Sequence, residues 1–186
     1  FWWSLSEGLG RNATILVLIL PPLFTLGVGF FWFLLPTTIF ARLPIVLLYG
    51  IGIYALNLTS NIFTVAAVVR TIALTRAAKG VAFVITLFTS FLLYEALFSL
   101  KGEIWLNSGV VFAISFPLLL QGLWTSMLEK EFNRKLFFYS FIFSISMSEL
   151  VIQLYFWPVT VVVGSLFLTV VVYSLLGLGQ ADLEGR

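Results

Sequence analysis

Six long apolar stretches alternate with short polar segments along the chain, at about 12–35, 44–69, 80–100, 107–128, 135–156 and 158–178. Each holds about 20 residues or more, and a helix rising 1.5 Å per residue then crosses the roughly 30 Å of bilayer hydrocarbon. The pattern predicts an all-α, polytopic helical membrane protein of about six transmembrane helices, with residues 1–186 forming one membrane domain. The first stretch is too long for a signal peptide and has no small-residue cleavage site, so it counts as a span. The connection at Trp157-Pro158 is so short that the last two spans must form an antiparallel hairpin.

Charge placement orients these spans. Of the ten Lys and Arg residues, Arg11, Arg70, Arg76, Lys79, Lys130, Arg134, Lys135 and Arg186 fall on one side, and only Arg42 and Lys101 on the other. Basic loops stay cytoplasmic, which puts both termini inside and predicts a multi-pass protein of the bacterial inner membrane. Trp32, Trp105 and Trp157 sit at expected outer ends and Trp2, Trp3 and Trp124 near inner ones, where indole favours the headgroup layer. The net charge of +2 is an orientation signal and gives no reason to expect nucleic acid as a partner.

Composition narrows the chemistry. With 61% hydrophobic and 10% charged residues, the chain departs from the roughly 25% charged balance of soluble domains, so a water-soluble fold is excluded. It contains no Cys and no His, which removes disulfides, thiolate or imidazole metal sites, haem ligation by imidazole and a His base. No cofactor or metal is expected. Prolines mark irregular points: Pro21-Pro22 and Pro117 fall mid-span, where a helix must bend or break, while Pro36, Pro44 and Pro158 fall at expected helix ends.

Once loops and tails are set aside, two acidic residues remain inside spans, Glu95 and Glu149. An ionisable group in hydrocarbon costs a few kcal/mol and usually faces protein or a hydrated cavity. Counted from the inner ends, they lie at similar depths of about 22 and 21 Å. If they meet, a shared proton is expected, and with it relay chemistry. Otherwise each holds a neighbouring helix or reaches the outer interface. Helical spacing adds three polar stripes: Tyr139, Ser146, Glu149 and Gln153; Tyr54, Asn57, Asn61 and Thr64; and Ser165, Thr169 and Tyr173. Gln121 stands alone. The candidate intramembrane polar site is therefore Glu95, Glu149, Gln153, Asn57, Asn61 and Gln121. Gly27, Gly29, Gly50, Gly52 and Gly164 read as points of close helix contact.

Known membrane chemistries fit poorly. A retinal protein needs a mid-span Lys, and intramembrane proteases need His or paired Asp, none of which is present. A lipid-modifying enzyme built on the two Glu would lack a basic phosphate clamp at their depth. No catalytic residue is assigned. The expected role is a non-enzymatic structural or partner-binding membrane subunit, whose partners are the bilayer and other membrane proteins or further copies of itself. The alternative is a small proton- or cation-coupled transporter or channel using Glu95 and Glu149.

Several stretches carry a family resemblance: Asn61-Ile62-Phe63, Val65-Ala66-Ala67, Arg70-Thr71-Ile72, Arg76-Ala77-Ala78, Phe156-Trp157-Pro158, Gly164-Ser165-Leu166-Phe167-Leu168 and Leu183-Glu184-Gly185-Arg186. Together they resemble an uncharacterised polytopic membrane protein family of candidate-phylum bacteria with reduced genomes. The resemblance implies a chain continuing past Arg186, and it transfers no activity and no functional residue. The orientation has a direct test, since a Cys placed at Glu103 is the only thiol in the chain. We expect a membrane-impermeant maleimide to label it from outside intact cells, and labelling only after permeabilisation would invert the topology.

Overall fold

Hydrocarbon cannot bond backbone N–H and C=O groups, so each apolar run must satisfy its own by becoming helical. A computed structural model describes residues 16–68, 74–128 and 134–183, and these are all-helical. Six helices follow in order: α1 Leu20–Leu34, α2 Ile39–Val68, α3 Thr75–Ser99, α4 Ile104–Met127, α5 Arg134–Tyr155 and α6 Val161–Leu183. Five of them, α2 to α6, are long and apolar enough to cross a membrane.

The first helix departs from the expected span. The break falls at residues 18–19, and Pro21-Pro22 then occupy the first turn of α1, where a missing N–H costs nothing. With 15 residues α1 is shorter than a full crossing, and residues 1–15 lie outside the described residues. Pro44 is likewise inside a helix, because α2 begins at Ile39 rather than at the proline. Pro117 is internal to α4, as expected. Helix α3 starts at Thr75, so Arg76 and Lys79 belong to its first turns, and α6 continues to Leu183, so Asp182 is helical rather than in a tail.

Helix α3 occupies the centre and packs against α1, α2, α4 and α6. Helix α5 packs most extensively on α4 and also touches α6, its neighbour across the short connection at residues 156–160. One apolar core joins α3, α4, α5 and α6 through Tyr94, Leu119, Leu123, Met147, Leu168 and Leu176. A second joins α1, α2 and α3 through Phe24, Val28, Leu56, Leu92 and Leu93. Helix α2 is peripheral: its most apolar 18-residue window is 6% buried, against 61% for α3 and α4. An apolar groove of about 860 Å³ opens between α2 and α3, lined by Pro44, Leu48, Gly52, Ala55, Gly80 and Val84 among others.

Aromatic placement follows the expectation only in part. Trp105 and Trp157 are exposed at the ends of their helices, and the Arg42 guanidinium lies 4.9 Å from the Trp32 ring centre, closing the α1–α2 turn. Trp124 of α4 instead is buried, edge-on to Phe63 of α2 at 6.3 Å.

Glycine sets how closely helices approach. A Cβ at Gly122 would lie 2.7 Å from Leu176 of α6, and one at Gly179 would lie 2.6 Å from Leu123 of α4 and 3.0 Å from Phe143 of α5. The α4–α6 contact is thus reciprocal, each helix seating its leucine in the other's glycine notch. Gly27 is tight against α3 and Gly52 against Phe24, Gly164 touches Phe98 of α3 at ordinary contact distance, and Gly29 and Gly50 meet nothing and are not contact points. Gly179→Val should cost about 1–3 kcal/mol by overpacking, read as a lower melting temperature in detergent. Gly29→Ala, with open space and better helix propensity, should be neutral or slightly stabilising.

Candidate intramembrane polar site

From Leu92 to Leu97 every side chain of α3 is buried, since helices surround it on all sides at this level. Glu95 lies within this run. Its Oε2 accepts a hydrogen bond from Ser165 Oγ of α6 at 2.5 Å. Ser165 Oγ also stands 2.9 Å from the Val161 carbonyl, an alternative acceptor for its single proton. The neighbouring Tyr94 hydroxyl is 2.8 Å from Ser115 Oγ of α4.

Further polar contacts form rungs between the helices. Thr86 Oγ1 lies 3.4 Å from Gln121 Oε1 and 2.8 Å from the Ala82 carbonyl of its own helix, the nearer acceptor for its single proton, and Ser108 Oγ lies 2.6 Å from Ser148 Oγ, joining α4 to α5. Near the expected inner face, Gln180 Nε2 donates to the Gly122 carbonyl at 2.9 Å, just where the two glycine notches meet. Lys79 Nζ donates to the Ser126 carbonyl at 2.5 Å, placing a cation at the C-terminus of α4, where the helix dipole favours it. Lys79 is therefore more than an orientation charge.

The six candidate residues do not gather at one point. Glu95 and Gln121 are interior, yet Gln121 meets α3 at Thr86, about 13 Å along the helix from Glu95. Glu149 and Gln153 are exposed on α5, which does not pack closely on α3. Asn61 is exposed on α2 and Asn57 half-buried.

The predicted stripes have correct periodicity but mostly face outward. The buried face of α5 is Leu136, Ser140, Ser144, Met147 and Val151, while Tyr139 reaches sideways to donate to Asp182 Oδ2 at 2.7 Å. On α6 only Ser165 of its stripe is fully buried. Ser108, Ser148, Ser115, Gly122 and Gln180 escaped notice as single small or terminal polar residues. The signal available for them is that small residues favour helix interfaces in membranes.

Two cavities with polar groups in their walls flank the core. The one at the expected outer end, about 320 Å³, is lined by Phe98, Lys101, Asn107, Tyr155, Trp157 and Gly164 among others; Gly164 adjoins Ser165 in the chain, but neither Ser165 nor Glu95 is in its wall. There Asn107 Nδ2 donates to the Gly102 carbonyl at 3.2 Å, while its Oδ1 is buried without a partner. The one at the expected inner end, about 220 Å³, is lined by Lys79, Gly80, Phe83, Thr125, Ser126 and Gln180. The two share no lining residue. Among the described residues, no three His, Cys, Asp or Glu side chains are grouped to hold a metal ion.

A double-mutant cycle on Glu95→Ala and Ser165→Ala tests the buried rung. A coupling energy of about 0.6–1.7 kcal/mol in the folded bundle is expected for an interhelical hydrogen bond, and a value of zero would show that the contact holds nothing.

No curated protein and no solved structure matches this chain. A family model described as a protein of unknown function, DUF5656, matches residues 4–186, nearly the whole length. The match agrees with the uncharacterised family expected from the resemblance. The chain belongs to the DUF5656 family, and its described residues form an all-helical bundle with five helices suited to a membrane.

Proposed function

We propose that this protein is a non-enzymatic, partner-binding subunit of the inner membrane of candidate-phylum bacteria, with both termini in the cytoplasm. One observation carries the reading. Several interior polar groups meet across helices, as in Glu95–Ser165, Thr86–Gln121 and Ser108–Ser148, whereas Tyr54 and Asn61 of α2 point outward with no hydrogen-bond partner among the described residues. Arg42 and Arg70 bracket this span, and its midpoint falls near residue 56, so both side chains lie within about 8 Å of the bilayer centre. Lipid there offers them no hydrogen bond, and leaving an amide unpaired in an apolar medium costs on the order of 2–7 kcal/mol. A partner that covers α2 relieves that cost.

Ion-coupled transport is the second reading, favoured by a buried carboxylate whose partner, Ser165, follows Gly164 in the wall of the outer cavity. The readings separate on two measurements. For a subunit, a nitroxide at position 61 should be less accessible to oxygen in native membranes than one at outward-facing Leu166, and this protection should vanish when single chains are placed in nanodiscs. For a transporter, proteoliposomes of the chain alone should carry a flux driven by a pH gradient that Glu95→Gln abolishes. We expect protection at 61 and no such flux.

A further inference from the structure

Two helix pairs turn at the expected outer end, α3 into α4 through residues 100–103 and α5 into α6 through residues 156–160. Both turns contribute to the wall of the 320 Å³ cavity there. Most of that wall is apolar, but one polar group in it has no provision within the chain. Asn107, only 3% exposed, donates through Nδ2 to the Gly102 carbonyl, so its amide cannot turn over without losing that bond. Its Oδ1 is then left buried with no partner among the described residues. The space it fills exists because residue 102 has no side chain, since a Cβ there would lie 2.7 Å from Oδ1. An unpaired buried acceptor calls for a donor from outside the chain.

The charge of the cavity comes from one residue. Lys101 is in the wall, exposed, with no hydrogen bond or ion pair among the described residues. It stands at φ 49°, a left-handed conformation that residues bearing a Cβ rarely adopt, and there the chain leaves α3 for Gly102. The described wall contains no carboxylate, and Glu103, the nearest along the chain, is exposed outside it. Two helices start and two end at this level, so their dipoles largely offset one another and Lys101 sets the sign.

The chemistry of a fitting ligand follows. It is anionic to suit Lys101, and it brings a neutral donor to Asn107 Oδ1, because an ammonium would meet a wall with a cation and no carboxylate. Phe98, Val151 and Leu154 suit an apolar body, and exposed Tyr155 and Trp157 in the same wall place the cavity in the headgroup layer. Basic pockets between membrane helices are known seats for anionic headgroups. We propose that this cavity binds the phosphoglycerol headgroup of a phosphatidylglycerol. The phosphodiester sits on Lys101, a free glycerol hydroxyl donates to Asn107 Oδ1, and the start of an acyl chain lies on the apolar wall. The site is complete within one chain and does not depend on whether α2 takes a partner.

Lipid binding to the purified chain, titrated in detergent and read by native mass spectrometry, tests this. Wild-type protein should prefer phosphatidylglycerol about three- to tenfold over phosphatidylmethanol, which has the same charge and no hydroxyl, as expected for one hydrogen bond. Asn107→Leu should erase that preference. Lys101→Gln should weaken both anionic lipids alike, by about tenfold, and leave the preference in place. Melting temperatures of the variants separate lost binding from lost folding. A diazirine on the phosphatidylglycerol headgroup reads the location in wild-type protein even if Asn107→Leu does not fold, with adducts expected on residues 98–107 and 155–164. Soluble glycerophosphoglycerol at the same concentrations should fail to displace the lipid, and displacement would show that the ligand is a free phosphoglycerol rather than a lipid. Equal binding of the two anionic lipids by wild-type protein, a preference that survives Asn107→Leu, or adducts confined to other segments overturns the proposal.

Discussion

A polar side chain in hydrocarbon has nowhere to bond except to protein, and that constraint organises the bundle around α3. Lys79, Thr86, Tyr94 and Glu95, at successive heights on this one helix, each meet an oxygen on α4 or α6. Any one such contact is worth little, about 0.6 kcal/mol on average. Together they admit one rotation and one height for each neighbour. The apolar core then packs around a register that the polar contacts define, and the paired glycine notches of α4 and α6 lock it at close range.

Much of this architecture was legible from residues alone. Six helices, their order and the tight α5–α6 connection follow from hydrophobic runs and short breaks. Errors gathered at helix ends, where Pro44 looked like a boundary although proline is tolerated near a helix start, and where the diproline looked like a kink but opens α1. The candidate site was much less legible, for a physical reason. In water the apolar side of a helix marks the core, but in a bilayer both core and lipid are apolar, so periodicity locates a stripe without saying which way it faces. Ser140 and Ser144, buried on α5, and Glu149, exposed on the same helix, have the reverse of the order that polarity suggests. Small size, not hydropathy, distinguishes the packed side.

The bundle is also uneven. Helices α3, α4, α5 and α6 share a continuous core, whereas α2 lies at the margin with an apolar groove beside it and polar groups turned outward. A helix that contributes little to its own fold tolerates displacement more readily than α3 does. It is therefore the element best placed to respond when the surface is covered.

The contact between Glu95 and Ser165 joins residues 70 apart in sequence. Synthesis proceeds from the N-terminus at about 5–20 residues per second, so α3 enters the membrane roughly 4–14 s before the serine that its carboxyl needs has been made. During that interval Glu95 depends on water or on the insertion machinery, and α3 cannot settle at its final depth. Helix α6 thus completes the middle of the bundle, and until it arrives the α3 carboxyl lacks its Ser165 partner.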